Sequence, residues 1–477
     1  MSPVPHSRNG FHYDWRYLGG IFLFVILWLT FFGYHDANPY DAEIYWNNAE
    51  MFTRGEHFSF LSFNSSLRGY LFSFLLIIPK ELADYSGLSP SSMIIAFGGL
   101  QAALLFGWVL PALYSSLRPE SSFSGWGRIL FAAVGLFFWI GYFNYTLSDF
   151  PGLLAYCGAL MLLVNGRVSW GKALAEGVLA GAALNMRPAL QIGMPVVLLL
   201  AGVQGAGPAS RWVNLRNVAL VVGGMLLISL PQWQINRANF NRNTPLVLAQ
   251  LAGDSQANLA LQQVGWGLKI QKYESAFRAG PTLRSGPIMY RDQLGKQLLN
   301  EAGYSYSEIK LGEPVFESVP AYFRLVARHP LRVGVVYLAH LFNGLDQHYN
   351  TPYIRQPIQE FAWLLPAVNY SLWFGLLLLL WIRRSQLLAI TGNQLLVLLA
   401  VLLPCAVGCV VATETRFLLP LHVLMYAAVC FDWQIIARSW VAQRSLGKTL
   451  ILGCWVSFVA LCFCFSLYVF RQQVFVL

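Results

Sequence analysis

The chain has 477 residues, of which 56% are hydrophobic and 11% charged, and its formal net charge is +10. Mean hydropathy is +0.51. A water-soluble domain carries about 25% charged residues, so this composition excludes an ordinary soluble protein. Lys and Arg stand in short clusters between apolar runs, with no basic stripe interleaved with aromatics. The positive charge therefore reports membrane sidedness, and no nucleic-acid partner is expected.

Apolar runs near the roughly 20 residues a spanning helix needs recur from end to end and predict an all-α polytopic membrane protein. Residues 1–16 hold Arg8 and Arg16 and are expected in the cytoplasm. The run 17–34 has no small-residue cleavage site after it and reads as a retained first span. Residues 35–60, HDANPYDAEIYWNNAEMFTRGEHFSF, then emerge outside with the acids Asp36, Asp41, Glu43, Glu50 and Glu56. Asp41, Tyr45 and Ala49 follow each other at four-residue steps and share one helix face. The stretch 67–83 is short and interrupted by Pro79 and Lys80. It reads as a juxtamembrane helix on the outer surface, because a crossing there would expose the basic loop around Arg118 and Arg128.

Further spans are expected over 92–115, 129–145, 152–164, 173–186, 189–203 and 218–235. The mostly hydrophilic region 236–360 follows, with 331–345 as a second surface helix. The last spans are 361–382, ending at Arg383-Arg384, then 388–411, 417–431 and 450–470, for about eleven transmembrane helices in all. Three parts result: an N-terminal transmembrane module, 1–235, with its first outer loop at 35–90; a periplasmic region with amphipathic helices, 236–360; and C-terminal transmembrane helices, 361–477. The cysteines all fall in apolar runs, so neither a disulfide framework nor a thiolate metal site is expected.

This topology puts Asp36, Asp41, Glu43, Asp149, Arg187, Glu414 and Arg416 at one outer interface. Ionisable residues within spans are few: Glu176, Arg187 and His422, all near span ends. Ion-coupled transporters place such groups or broken helices near the midplane, and that pattern is missing. A ring of acids and arginines suits glycosyl transfer. A carboxylate takes the proton from an acceptor hydroxyl, and arginines hold the phosphate of the leaving group. Each residue also has a plainer reading. Asp41 follows Asn38-Pro39-Tyr40 where a helix N-cap falls, and Asp149 precedes Pro151 where another does. Asp36 marks the membrane exit, and Glu43 points off the Asp41–Tyr45 face. Arg187 beside Pro188 can snorkel to head groups, and Glu414 with Arg416 can form a local ion pair. The stretch HLFNGLDQHY, 340–349, reads as a surface helix with an exposed turn, with acceptor contact as the runner-up, and WGLKIQKYE, 266–274, as an amphipathic element, with sugar stacking as the runner-up.

The sequence resembles the GT-C superfamily of membrane glycosyltransferases, nearest in pattern to the branch of protein O-mannosyltransferases and lipid A aminoarabinose transferases. The resemblance rests on Asp41-Ala-Glu-Ile-Tyr45 with Ala49 and Gly55 in the first outer loop, on LSDFPGLLAY with Asp149, and on ETRFLLPLHVL with Glu414, Arg416 and Pro420. It departs from the pattern at Ala42, where many relatives carry a second acid, and at Leu67-Arg68-Gly69, where Lys-Pro-Pro often stands. The resemblance implies Asp41 as the catalytic base, with Asp149, Glu43 and Asp36 as candidate second acids. It implies Arg187 and Arg416 on the donor phosphate, and Tyr45, Glu414 and Arg68 on substrate. It further implies an inverting enzyme at the outer face of a bacterial inner membrane. That enzyme would use a polyprenyl-phosphate sugar donor and a lipid, glycan or protein acceptor. Some branches use a divalent metal and others do not. Two other readings stay open: a lipid-linked glycan flippase or transporter without chemistry, and an O-antigen-type polymerase or ligase with a diphosphate-linked donor.

Overall fold

The computed structural model describes residues 14–33, 39–54, 57–118, 124–164, 169–203, 211–250, 259–277, 286–304, 315–355, 363–387 and 389–475. Asp36 lies outside them. The first helix is α1 (Trp15–Phe32), capped by Asp14, whose carboxylate accepts from the Arg16 N–H at 3.0 Å. A short helix α2 (Asp41–Ala49) follows. The stretch expected as one surface helix forms two, α3 (Tyr70–Leu75) and α4 (Ile77–Ser86), which meet at Leu76. Neither is long enough to span. Gly87, with φ +69, closes α4 in the left-handed conformation that glycine takes without strain.

The helices α5 (Pro90–Leu117), α6 (Gly125–Asn144), α7 (Asp149–Val164), α8 (Trp170–Met186), α9 (Pro188–Val203) and α10 (Arg211–Phe240) complete the N-terminal part. Serines 89, 124 and 169 cap α5, α6 and α8 by accepting N–H groups of the first turn. Small residues let α8 and α10 lie almost backbone to backbone: a Cβ on Gly177 would stand 2.1 Å from the Val221 carbonyl oxygen.

The middle region holds α11 (Leu259–Lys269), α12 (Gln293–Glu301), α13 (Val319–Arg328) and α14 (Pro330–Leu345). It also holds a sheet that the all-α expectation omits. Its strands are β1 (Ile270–Ala276), β2 (Gly286–Arg291), β3 (Tyr353–Ile354) and β4 (Gln473–Phe475), in the order β3-β1-β2-β4. β1 pairs antiparallel with β2 and parallel with β3 through Ser275 and Tyr353, while β4 pairs antiparallel with β2. Leu268, Leu298, Phe316, Leu325 and Val333 form a second apolar core here, separate from the main one. The chain ends with α15 (Leu364–Ile382), α16 (Gly392–Val410), α17 (Thr415–Phe431), α18 (Trp433–Ala442), bent from α17 by 52°, and α19 (Ser445–Phe470).

Among the described residues, seven helices are long and apolar enough to cross a membrane, or up to eight with the bent pair α17–α18 as one span. Three of the stretches expected to span form the shorter α7, α8 and α9, of 16 to 17 residues. On the outside, Leu27, Phe31, Leu230, Leu377, Leu461 and Phe465 leave large apolar side chains exposed, as helices solvated by lipid require. The protein is a polytopic helical membrane protein.

The bundle has two distinct ends. At one, Tyr17 donates to the Arg128 carbonyl, Gln394 to that of Leu117 at 2.6 Å, and Arg383 pairs with Asp432 at 2.8 Å. The other end carries the sheet, α2, the start of α7, the end of α8 and the turn between α16 and α17.

Candidate active site

Asp41 opens α2, and the structure separates its two readings. The N-cap of the helix is Tyr40, at φ +52, with no side-chain capping bond. The Asp41 carboxylate is therefore free of that task. It accepts from Arg68 Nη2 at 2.5 Å and from Arg416 Nη2 at 3.4 Å. The unusual Tyr40 backbone is held from outside the helix. Its hydroxyl donates to the Ala276 carbonyl of β1 at 2.6 Å, and its ring stacks on Tyr353 of β3 at 5.7 Å. Thr146 donates to the Ala42 carbonyl at 2.6 Å, and Tyr45 OH meets Ser148 Oγ at 2.9 Å. These bonds pin α2 against the segment that leads into Asp149.

Asp149 is buried at the start of α7, and its carboxylate pairs with Arg187 and, at 3.5 Å, with Arg416. Glu414 holds Arg416 through Nε at 2.7 Å and Nη2 at 3.1 Å. The guanidinium of Arg416 is thus shared by Glu414, Asp149 and Asp41. Arg187 and Arg416 both pack on the Phe417 ring, 5.5 and 5.8 Å from its centre. Burial pushes the Asp41 carboxyl up, but Arg68 and Arg416 outweigh it and hold it below its ordinary range. At Glu414 burial wins over Arg416, and the carboxyl sits above its ordinary value.

The corner that delivers Arg68 is built by buried amides. Asn185 at the end of α8 accepts from the Leu71 N–H at 2.8 Å, and Gln232 of α10 accepts from the Tyr70 N–H at 3.1 Å. Asn185 also donates to Gln232 at 3.2 Å, and Gln232 to Asn236 at 2.9 Å. Gly69 fits because it has no side chain: a Cβ would stand 2.0 Å from the Asn185 carbonyl oxygen. Gly69→Ala is accordingly expected to destabilise the purified protein by about 1–3 kcal/mol, read as a lower Tm. Gly19→Ala, inside α1 where no atom lies within 4 Å, is expected to leave Tm level or raise it slightly, because alanine is the better helix former. The Arg68 Nε, buried, has no partner among the described residues.

These groups line one cavity of about 450 Å³. It brings together Asp41, Tyr45, Arg68, Asp149, Arg187, Glu414 and Arg416. Glu43 is exposed and lies off the cavity, and Asp36 falls outside the described residues. One wall is apolar, from Pro188 and Leu190 of α9 and Pro404, Val407 and Val411 at the end of α16. Four aromatic residues complete the lining: Tyr40, Trp266, Tyr273 and Tyr353. The sequence reading left out Ser148, Tyr273, Tyr353 and the amides Asn185 and Gln232. The last of these had a signal, since Gln232 and Asn236 stand four apart on one face of their helix, just after its apolar middle.

Two further expectations need correction. Residues 266–274 are a helix end and a strand, and Trp266 and Tyr273 face the cavity. The 340–349 turn is buried, with His340, Asn343 and Asp346 all at 0% exposure. Tyr370 donates to the Asp346 carboxylate at 2.5 Å and Ser466 donates to it at 2.8 Å, while Lys272 donates to the Asp346 carbonyl at 3.1 Å and pairs with Glu274 at 3.1 Å. Helices α15 and α19 cover the turn, which explains its burial. Comparison with protein-family models found no match, and searches of curated proteins and of solved structures returned none.

Proposed function

We propose that the chain is an integral membrane glycosyltransferase of the GT-C type. It transfers one sugar from a polyprenyl-phosphate donor to a lipid, glycan or protein acceptor at the outer face of a bacterial inner membrane. One observation carries the reading: three acids and three arginines from separate parts of the chain converge in one cavity beside an apolar wall. Arginines suit a lipid-linked phosphate, and an apolar wall suits its prenyl chain. The positive-inside count supports the orientation, because Arg118, Arg128, Arg383 and Arg384 gather near the end away from the cavity.

In this reading Asp41 takes the proton of the acceptor hydroxyl as its oxygen attacks the anomeric carbon. The bond from that carbon to the phosphate oxygen breaks on the opposite side, so the sugar inverts. The polyprenyl phosphate leaves with the electron pair, and Arg187, Arg416 and Arg68 offset the charge that develops. The arginines are already oriented by Asp149, Glu414 and Asp41, so little reorganisation is needed when the phosphate arrives. The test is mass spectrometry of lipid-linked sugars in a deletion strain. Accumulation of one polyprenyl-phosphate sugar, with loss of that sugar from a surface glycan, is expected. An unchanged lipid-linked pool with intact glycans would overturn the reading.

A further inference from the structure

Some GT-C branches use a divalent metal, and the acids of this cavity test whether one fits here. Three carboxylates in one pocket are the oxygen donors a hard cation takes. Their arrangement, however, surrounds a cation that the chain itself supplies. The Arg416 guanidinium lies 2.7 Å from Glu414, 3.4 Å from Asp41 and 3.5 Å from Asp149. Arginine stays charged at any pH a protein meets, so it cannot step aside by losing its proton. Arg68 pairs with Asp41 and Arg187 with Asp149, each through the carboxylate oxygen that Arg416 does not take. A divalent ion placed among them would lie against three fixed positive charges. Among the described residues, no three His, Cys, Asp or Glu side chains are grouped to hold a metal ion.

We infer that Arg416 is the fixed cation of this acid cluster, occupying the electrostatic position a divalent metal would take, so that the cavity binds no such metal. Transfer then proceeds with chelator present, a consequence that rests on the glycosyltransferase reading. The binding statement is independent of it. Mn²⁺ titration of the full-length protein in lipid nanodiscs, followed by electron paramagnetic resonance, tests it directly. Wild type and Arg416→Lys are expected to leave the free Mn²⁺ signal unchanged. Arg416→Ala, which strips the cation from three acids, is expected to bind Mn²⁺ about tenfold or more tightly than wild type. Asp149→Asn added to that variant should abolish the gain. Mn²⁺ binding by wild type that Asp149→Asn removes would overturn the inference, as would a folded Arg416→Ala protein that binds none. In the transfer assay, loss of product with EDTA and its return with Mg²⁺ or Mn²⁺ would also overturn it. A protein that transfers no sugar under any condition would instead count against the proposed function, and the Mn²⁺ titration would still decide the role of Arg416.

Discussion

Asparagine at position 41 is expected to lower sugar transfer by about 10²–10⁴-fold and to leave the fold in place. The substitution keeps the shape of the side chain and an oxygen to accept from Arg68. It removes the one property the mechanism needs, a carboxylate that can take a proton. The fold should tolerate the change because Asp41 caps no helix and asparagine still offers an oxygen to Arg68. Arg416 retains Glu414 and Asp149. Arg68 and Arg416 both lose a competitor for the donor phosphate, so KM for the donor should stay level or fall while kcat collapses. Product formation with purified Asp41→Asn protein and a polyprenyl-phosphate sugar checks this. Retained turnover in folded protein would remove Asp41 from the role of base.

The pH profile gives the same assignment a second reading. Arg68 and Arg416 hold the Asp41 carboxyl below its ordinary range against the opposing effect of burial. The Asp41 carboxylate is therefore already deprotonated at neutral pH, and if it is the base kcat/KM should show no acid limb from it above about pH 4. Arg68→Gln removes one of the two opposing charges and leaves burial, which raises the pKa. The acid limb should then move up. A variant that loses activity by the same factor at every pH would show that Arg68 acts on substrate alone.

Much of this site was legible because charges are rare in an apolar chain, and each one that appears at a span end has to be explained. Asp41, Asp149, Arg187, Glu414 and Arg416 stood out for that reason, and alternation of sides along the chain was enough to place them on one face. Arg68 stood out only as a departure from a pattern, since nothing local reveals that it reaches an acid 27 positions away. The aromatic wall was hidden because Tyr273 and Tyr353 sit on strands of seven and two residues that exist only through pairing within the sheet. The strand that completes the sheet is three residues at the end of a long apolar helix, too short for a period of two to show. The stretches 152–164, 173–186 and 189–203 form α7, α8 and α9, whose apolar composition reflects burial inside the bundle as much as contact with lipid: 13 of the 16 residues of α7 are buried within the protein.

The misread turn at Asp346 leads to the largest expected effect on stability. Asp346→Ala should cost about 3–5 kcal/mol, as breaking a buried ion pair from one side does, and should lower Tm accordingly. The carboxylate joins parts of the chain that are far apart in sequence: Tyr370 on α15, Ser466 on α19, His348 after α14 and Lys272 on β1. Without it, Lys272 keeps only Glu274 as an ionised partner, the buried Tyr370 hydroxyl loses its acceptor, and Ser466 is left with His348. Burial pushes the Asp346 carboxyl up, but His348, Lys272 and the hydrogen bonds outweigh it and hold it well below its usual range. A lowered folded pKa contributes stability that is fully present above the unfolded value of about 3.9 and is lost as pH falls below it. Wild type should therefore lose Tm more steeply than Asp346→Ala on acidification below about pH 4. Strand β1 carries Lys272 and Glu274 on one side and the cavity-lining Tyr273 and Ser275 on the other. Asp346→Ala should consequently also weaken activity at temperatures where the protein remains folded. Unchanged turnover there would mean that the sheet holds the aromatic wall in place without the help of this buried network.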